Sequence, residues 1–273
     1  MLYLVATPIG NLEDMTFRAI RILREVNVIA AEDTRRTRKL LTHFDIHTPL
    51  VRFDENCKKT VGEKILQRLQ SGESVAVVSD AGLPAISDPG ADLVRLAIDA
   101  GITVCPVPGA NAALSALICS GLDTTKFLFV GFPPKTKKNR RELLQKLSTV
   151  EATIIFYEAP HRLKNFLAEL VEFFGERQAV LARELTKIHE EFLRGTVSEL
   201  AEKISEPLGE FVVLVAGNSS PEPTNLPNEN FAEVVEKFLA AGLDKKSAMR
   251  ETAKRFNVSR REIYNALIKE DTQ

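Results

Sequence analysis

The sequence predicts an α/β protein: two α/β lobes with a cleft between them, followed by a small all-helical unit. Three observations lead to this prediction. Short apolar runs alternate with helical patterns over residues 1–120, as in parallel sheets covered by helices. Beyond residue 126 the alternation is less regular, which indicates a mixed sheet. A polar, proline-rich stretch at 218–228 then precedes a basic, helix-rich segment.

Composition limits the classes of function. The chain has 273 residues, of which 44% are hydrophobic, and a formal net charge of -1. A globally basic nucleic-acid coat is therefore excluded, and any contact with a polyanion must come from local patches. The three cysteines show no close-paired spacing, which predicts reduced thiols in a cytoplasmic protein and no metal site. The apolar run at 2–6 lacks a basic leader and is too short for a signal peptide, and no window approaches a transmembrane span.

The first lobe is predicted at residues 1–115, where strands and helices alternate. Apolar residues at helical spacing predict the first helix, from Phe17 to Val26. The capping-box pattern of Thr60 and Glu63 predicts the start of the third helix. The predicted strands are 2–6, 28–31, 50–53, 75–78 and 102–107.

The second lobe is predicted at residues 116–217. Thr196 and Glu199 form another capping-box pattern, which predicts a helix start between two strands. Further helices are expected at 112–119, 141–147 and 163–174, the first of them near the lobe boundary. The predicted strands are 127–130, 153–157, 179–184, a strand around Phe192, and 210–216.

A third unit is predicted at residues 228–273. Residues 244–269 hold eight Lys and Arg against three Asp and Glu, a local charge of +5. Two helical patterns meet at Asn257, which tolerates a left-handed turn, so the unit has the pattern of a helix-turn-helix. The same geometry also occurs as plain packing. The expected contacts to phosphate are Arg260, Arg261 and Lys269.

The loop at 79–90 is the leading candidate for a ligand site. It follows a continuous apolar run and holds two aspartates, two prolines and two glycines. In open α/β sheets, ligands bind at the carboxyl ends of strands. Neither a dinucleotide fingerprint nor a P-loop is present, and an acidic loop suits a ligand with positive charge or hydroxyls. The alternative is a rigid connection in which Asp88 caps the next helix.

Five segments of the sequence form a specific set: LVATPIGNLEDMTFRAI (4–20), AAEDTRRT (30–37), VSDAGLPAISDPG (78–90), PVPGANAALSAL (106–117) and FYEAPHR (156–162). Together they resemble the ribosomal RNA small subunit methyltransferase I family. That family has the tetrapyrrole-methylase (class III) fold and methylates the ribose 2′-hydroxyl of a cytidine in 16S rRNA, using S-adenosylmethionine. The resemblance covers essentially the whole chain and therefore implies the same activity, with 16S rRNA of the small subunit or its precursor as partner and a homodimer as assembly.

The resemblance also implies where the cofactor binds. In class III methylases the cofactor lies in the cleft between two lobes and touches loops at strand ends. A ribose diol needs oxygen acceptors, and a glycine permits close approach of the backbone. Asp80 is expected to touch the cofactor directly and Asp88 to act as a cap. The implied cofactor residues are Pro8, Ser79, Asp80, Ala81, Gly82, Ile86, Ala110 and Tyr157.

Three carboxylates are candidates for a catalytic base: Glu32, Asp33 and Glu158. A ribose hydroxyl is a poor nucleophile, so an oriented acceptor and a proton sink both help transfer. The alternative for the loop at 32–36 is that Asp33 caps the following helix and its arginines form a solvated face.

Basic residues are expected to reach RNA phosphates at Arg35, Arg36, Lys137, Lys138 and Arg140, although charge runs are also ordinary solvated faces. A tetrapyrrole methylase and a ligand-sensing DNA-binding regulator are the competing functions. The basic C-terminal unit argues against the first, because a small macrocycle has no use for it.

Overall fold

The computed structural model describes residues 1–86, 90–204, 207–218, 231–240 and 242–255. The chain divides into two compact units, residues 1–218 and residues 219–273. The first unit contains two five-stranded sheets, one for each predicted lobe. The described part of the second unit is a pair of helices. No helix among the described residues is long and apolar enough to cross a membrane.

The first sheet is fully parallel, with strand order β3-β2-β4-β1-β5. Its strands are β1 (Leu2–Val5), β2 (Val28–Ala31), β3 (Leu50–Arg52), β4 (Val75–Val78) and β5 (Val104–Val107). The connecting helices are α1 (Phe17–Glu25), α2 (Thr34–His43), α3 (Lys58–Gln70) and α4 (Gly90–Asp99).

Both faces of the first sheet are covered, as the continuous apolar runs predict. Ile29 and Ala31 pack in a core with residues of α1 and α2. Val28 and Ala30 pack on the opposite face with residues of α3 and α4. Because successive side chains of a strand point to opposite faces, a strand covered on both sides must be apolar throughout.

The second sheet is mixed, with strand order β6-β7-β10-β8-β9. Strands β6 and β7 are parallel, and the other neighbours are antiparallel. The strands are β6 (Phe127–Gly131), β7 (Thr153–Glu158), β8 (Gln178–Arg183), β9 (Glu191–Thr196) and β10 (Phe211–Val215). The helices are α5 (Ala112–Ser120), α6 (Lys137–Leu147), α7 (Pro160–Phe174) and α8 (Val197–Lys203).

Helix α5 packs on one face of the second sheet, and α6, α7 and α8 pack on the other. Ala113, Ala116 and Leu117 are the buried side chains of α5 in this core. The predicted lobe boundary after residue 115 therefore falls inside a helix that packs with the second sheet. Small residues allow α5 to approach the strands closely.

Helix starts test the capping predictions. The capping box of Thr196 and Glu199 is confirmed at the start of α8. The box predicted at Thr60 is wrong, because α3 already begins at Lys58, after Cys57. The carboxylate of Asp54 accepts backbone N–H groups from Asn56 and Cys57 at 3.1 Å, so this turn starts the helix earlier. Helices α6 and α7 also begin earlier than predicted, by four and three residues.

The second unit contains α9 (Phe231–Ala240) and α10 (Lys245–Arg255). Val235 packs there against Ala248, Met249 and Ala253. The predicted turn at Asn257 and the helix carrying Arg260, Arg261 and Lys269 lie outside the described residues, as does Asp88.

Candidate functional site

A cavity of about 530 Å³ lies at the carboxyl ends of strands β2 and β4, where it is enclosed by both sheets. The end of β7 and the start of β10 close it from the second sheet. Its volume is in the range of cavities that bind small molecules and cofactors. The lining residues from the first lobe and α5 are Ile9, Glu32, Ser79, Asp80, Ala81, Gly82, Leu83, Ile86, Asn111 and Ala112.

The loop after β4 is fixed by contacts with the loop after β1. Backbone hydrogen bonds join Thr7 and Gly82 in both directions, at 2.9 and 3.0 Å. The hydroxyl of Thr7 donates to the carbonyl of Ser79 at 3.2 Å. Gly82 has a φ of +77°, which L side chains rarely adopt. A Cβ at this position would lie 3.3 Å from Ile9 and 3.5 Å from the carbonyl oxygen of Ala110, so glycine keeps this approach open.

Asp80 connects the loops after β2 and β4. One of its oxygens accepts the backbone N–H of Asp33 at 3.0 Å, and the other lies 3.2 Å from the guanidinium of Arg36. Asp80 also lines the cavity. The residue therefore holds the two loops together at the cavity wall.

Asp33 is the N-cap of α2, which confirms the helix-capping alternative. Its side chain accepts the backbone N–H of Arg35 at 2.8 Å and pairs with the Arg35 guanidinium at 3.1 Å. These hydrogen bonds to Arg35 lower the pKa of Asp33 to about 2. Among the described residues that line the cavity, Glu32 and Glu158 are present and Asp33 is not. Asp33 is therefore committed to the helix start.

Glu158 ends strand β7 with a fully buried side chain. Its Oε1 accepts the backbone N–H of Ala159 at 2.9 Å and lies 3.2 Å from Nε of Arg162. Its Oε2 is buried and makes no hydrogen bond with any described atom. Burial raises the pKa of Glu158 above its ordinary value. Burial also raises the pKa of Tyr157, the neighbouring residue in the cavity wall.

Eight of the ten lining residues on the second-sheet side of the cavity were not named as site candidates by the sequence analysis. Phe132 follows β6, and its ring centroid lies 5.5 Å from that of Tyr157. The remaining second-sheet residues include the start of β10, which lies beside the ends of β7 and β8 through antiparallel pairing. The pairing register, and not a local signal, places Phe211 and Val212 there. The seven second-sheet residues besides Phe132 are Ala159, Pro160, Ala182, Leu185, Glu210, Phe211 and Val212.

Six of the eight implied cofactor residues line the large cavity, and Pro8 and Ala110 do not. Pro8 lines a smaller cavity of about 280 Å³ that shares Ser79 and Asp80 with the large one. Arg36 and Lys39 lie in the same smaller cavity. A cationic recess therefore adjoins the large cavity on the side of α2.

The predicted RNA contacts differ in how free they are. Arg35 and Arg36 have largely exposed side chains despite their ion pairs, and Lys137 and Lys138 are exposed in the first turn of α6. Arg140, predicted to contact RNA phosphate, is instead part of the protein interior. Its guanidinium is nearly buried and pairs with Glu169 at 2.5 Å, so it holds α6 against α7 and is not available to phosphate.

The fold and the cavity define a two-lobed α/β protein with a cavity of cofactor size between its two sheets. The chain belongs to the tetrapyrrole (corrin/porphyrin) methylase family, whose family model matches residues 1–201, and it is a methyltransferase. Relatives carry a more particular name. The chain is 52% identical to the ribosomal RNA small subunit methyltransferase I of Halalkalibacterium halodurans, over 97% of this chain and 93% of that protein.

Two further relatives bear the same name. The protein of Bacillus subtilis is 48% identical, over 97% of this chain and 93% of its own length. The protein of Synechocystis sp. is 46% identical, over 97% and 96%.

Solved structures support the fold. Uroporphyrin-III C-methyltransferase from Thermus thermophilus has a TM-score of 0.55 and 22% identity, over 79% of this chain and 93% of that one. The methyltransferase CobJ has a TM-score of 0.60 and 19% identity, over 80% and 94%. A further structure of the Thermus thermophilus enzyme, complexed with S-adenosylhomocysteine, has a TM-score of 0.56 and 18% identity, over 78% and 96%.

Proposed function

We propose that the chain transfers a methyl group from S-adenosylmethionine to the ribose 2′-hydroxyl of a cytidine in 16S rRNA of the small ribosomal subunit. One observation carries the proposal: a single cavity brings the loop at 79–82 of the first sheet together with Tyr157 of the second. These are residues implied for the cofactor. The names of the full-length relatives support small-subunit rRNA as the substrate.

The cavity fits the methyl donor by its chemistry. When bound, S-adenosylmethionine supplies an electrophilic methyl group on a cationic sulfur. Carboxylates from Glu32, Asp80 and Glu210 give the cavity an oxygen-rich, anionic wall that suits a cation and a ribose diol. Ile86 and Phe211 supply apolar surface for a purine. The missing side chain at Gly82 leaves room beside the Ala110 carbonyl, where a Cβ would otherwise sit.

Proton removal from the acceptor hydroxyl falls to Glu32 or Glu158, the carboxylates that line the cavity among the three candidates. Glu158 is a stronger base than an ordinary carboxylate because burial raises its pKa. Asp33 is a weak base because its pKa is about 2. Asp33 instead has a structural role: its side chain caps α2, and its backbone N–H donates a hydrogen bond to the Asp80 carboxylate.

The surface around the cavities suits RNA. Arg36 and Lys39 line the recess that adjoins the donor cavity, and Lys137 and Lys138 lie on the other lobe. Cations at these positions would neutralise phosphates on both sides of the acceptor nucleotide. The unit at 228–273, with Arg260, Arg261 and Lys269, would add contacts farther along the RNA. We place the protein in the cytoplasm, as a homodimer.

The experiment is methyl transfer from labelled S-adenosylmethionine to naked 16S rRNA and to 30S particles, followed by digestion to nucleosides. The proposal predicts label in 2′-O-methylcytidine. Label in a base, or no RNA methylation by a protein that binds S-adenosylhomocysteine, would contradict it. Binding of S-adenosylhomocysteine by calorimetry is the control that shows the donor site is intact.

A further inference from the structure

An exposed aromatic ring stands at the mouth of the donor cavity. Phe132 lines the cavity, yet its exposed fraction is 58%. Its ring packs against the ring of Tyr157, at a centroid distance of 5.5 Å and an interplanar angle of 61°. Tyr157 is itself held by Phe129 at 5.1 Å. The ring therefore has a fixed neighbour on the cavity side and free surface toward solvent.

The loop that carries Phe132 is fixed by hydrogen bonds from two arginines to its backbone carbonyls. The guanidinium of Arg162 donates to the carbonyl of Pro133 at 3.0 Å, while it pairs with the buried Glu158. Arg140 donates to the carbonyls of Pro134 and Lys135, each at 3.2 Å, while it pairs with Glu169. The two successive prolines also restrict the backbone.

Such a loop presents a rigid, exposed ring, and little conformational freedom is left to lose when a flat ligand binds. The same loop carries the exposed Lys135 and leads into α6, whose first turn holds the exposed Lys137 and Lys138. S-adenosylmethionine carries no phosphate, so exposed cations three to six residues after Phe132 in the chain favour a nucleotide of RNA over the adenine of the donor as its ligand. Aromatic rings that stack bases and basic side chains that follow the backbone are the usual parts of a single-strand RNA site.

We propose that Phe132 is the stacking platform for the nucleobase of the acceptor nucleotide. Lys135, Lys137 and Lys138 contact the adjoining phosphates. This assignment rests on the proposed function and adds the means by which the enzyme holds the base while the ribose faces the donor cavity. Stacking on the ring fixes the nucleotide that has to be splayed out of its RNA neighbours.

The test compares Phe132→Ala, Phe132→Leu and Phe132→Trp with the wild type, in kcat/KM for RNA methylation and in affinity for S-adenosylhomocysteine. Ala and Leu should lower kcat/KM by roughly 5- to 150-fold, the range for loss of one stacked base. Trp should restore it. Affinity for S-adenosylhomocysteine should stay unchanged in all three. The matched control is Phe127→Ala, since Phe127 is 45% exposed on strand β6 but does not line the cavity.

Three results would overturn the assignment. An equal loss of S-adenosylhomocysteine affinity would place Phe132 in the donor site. Full activity of the Leu variant would reduce its role to apolar packing, and full activity of the Ala variant would remove it from the site. In each case the wild type still methylates RNA. Failure of the proposed function looks different, because the wild type would then bind S-adenosylhomocysteine and methylate no RNA.

Discussion

Replacement of Gly82 by alanine tests whether the loop after β4 must keep its left-handed turn for the donor to bind. The backbone at Gly82 has a φ of +77°, and the new Cβ would approach Ile9 to 3.3 Å. A non-glycine residue in the left-handed region costs about 1–2 kcal/mol. Gly72 offers a matched control: its φ is +91°, it lies in the turn before β4, and a Cβ there would meet nothing within 4 Å.

Both variants should lose about 1–2 kcal/mol of unfolding free energy, since both force alanine into the left-handed region. In a domain of this size, thermal unfolding should shift by about 2–4 °C for each kcal/mol. Gly82→Ala should also weaken S-adenosylhomocysteine binding, because Gly82 and Ile9 line the cavity and the loop must move to relieve the contact. Because ligand binding would have to return the loop to its left-handed conformation, the cost of about 1–2 kcal/mol lowers the affinity by roughly 5- to 30-fold.

Calorimetric titration with S-adenosylhomocysteine, together with thermal unfolding of the free proteins, separates the two effects. Equal affinity of Gly82→Ala and Gly72→Ala for S-adenosylhomocysteine would contradict this role of Gly82. Unchanged stability of both variants would refute the assigned backbone conformations.

Four further substitutions probe the charged groups. Arg140→Met should lower the unfolding free energy by about 3 kcal/mol, because it leaves the nearly buried carboxylate of Glu169 unpaired. Arg141→Met should have a much smaller effect, because the Arg141–Glu172 pair is exposed. Urea unfolding of both variants measures the difference. Burial raises the pKa of Glu158 above 4.5. The unfolding free energy of the wild type relative to Glu158→Gln should therefore fall as the pH rises from 4.5 through the folded-state pKa, and then level off. A rise over that pH range would contradict the raised pKa. Asp33→Asn should keep kcat and its pH profile, because asparagine also caps helices and a carboxylate with a pKa of about 2 is a weak base. Loss of the acid limb of the pH profile would show that Asp33 is the base.

The parallel half of the fold follows closely from local pattern. Strands β2 and β4 lie at the predicted residues because buried strands in a sheet covered on both sides must be continuously apolar. Their polar loops then meet at one sheet edge by topology alone. Ser79, Asp80 and Glu32 accordingly lie together in the cavity.

The antiparallel half of the site was not predictable in the same way. The start of β10 reaches the cavity because Phe211 pairs with both Glu158 and Arg183, and such register depends on contacts across the whole sheet. Phe132 was missed for a related reason: a lone aromatic in a loop carries no periodic signal. Arg140 was misassigned because its partner on α7 is distant in sequence.

Nucleoside mass spectrometry of 16S rRNA from a strain that lacks this gene is the most direct test of the proposed activity. We expect loss of one 2′-O-methylcytidine, and its return when the wild-type chain is supplied. The Gly82→Ala chain should restore it less completely than the Gly72→Ala chain. A complete set of 2′-O-methylated cytidines in the deletion strain would contradict the proposed activity.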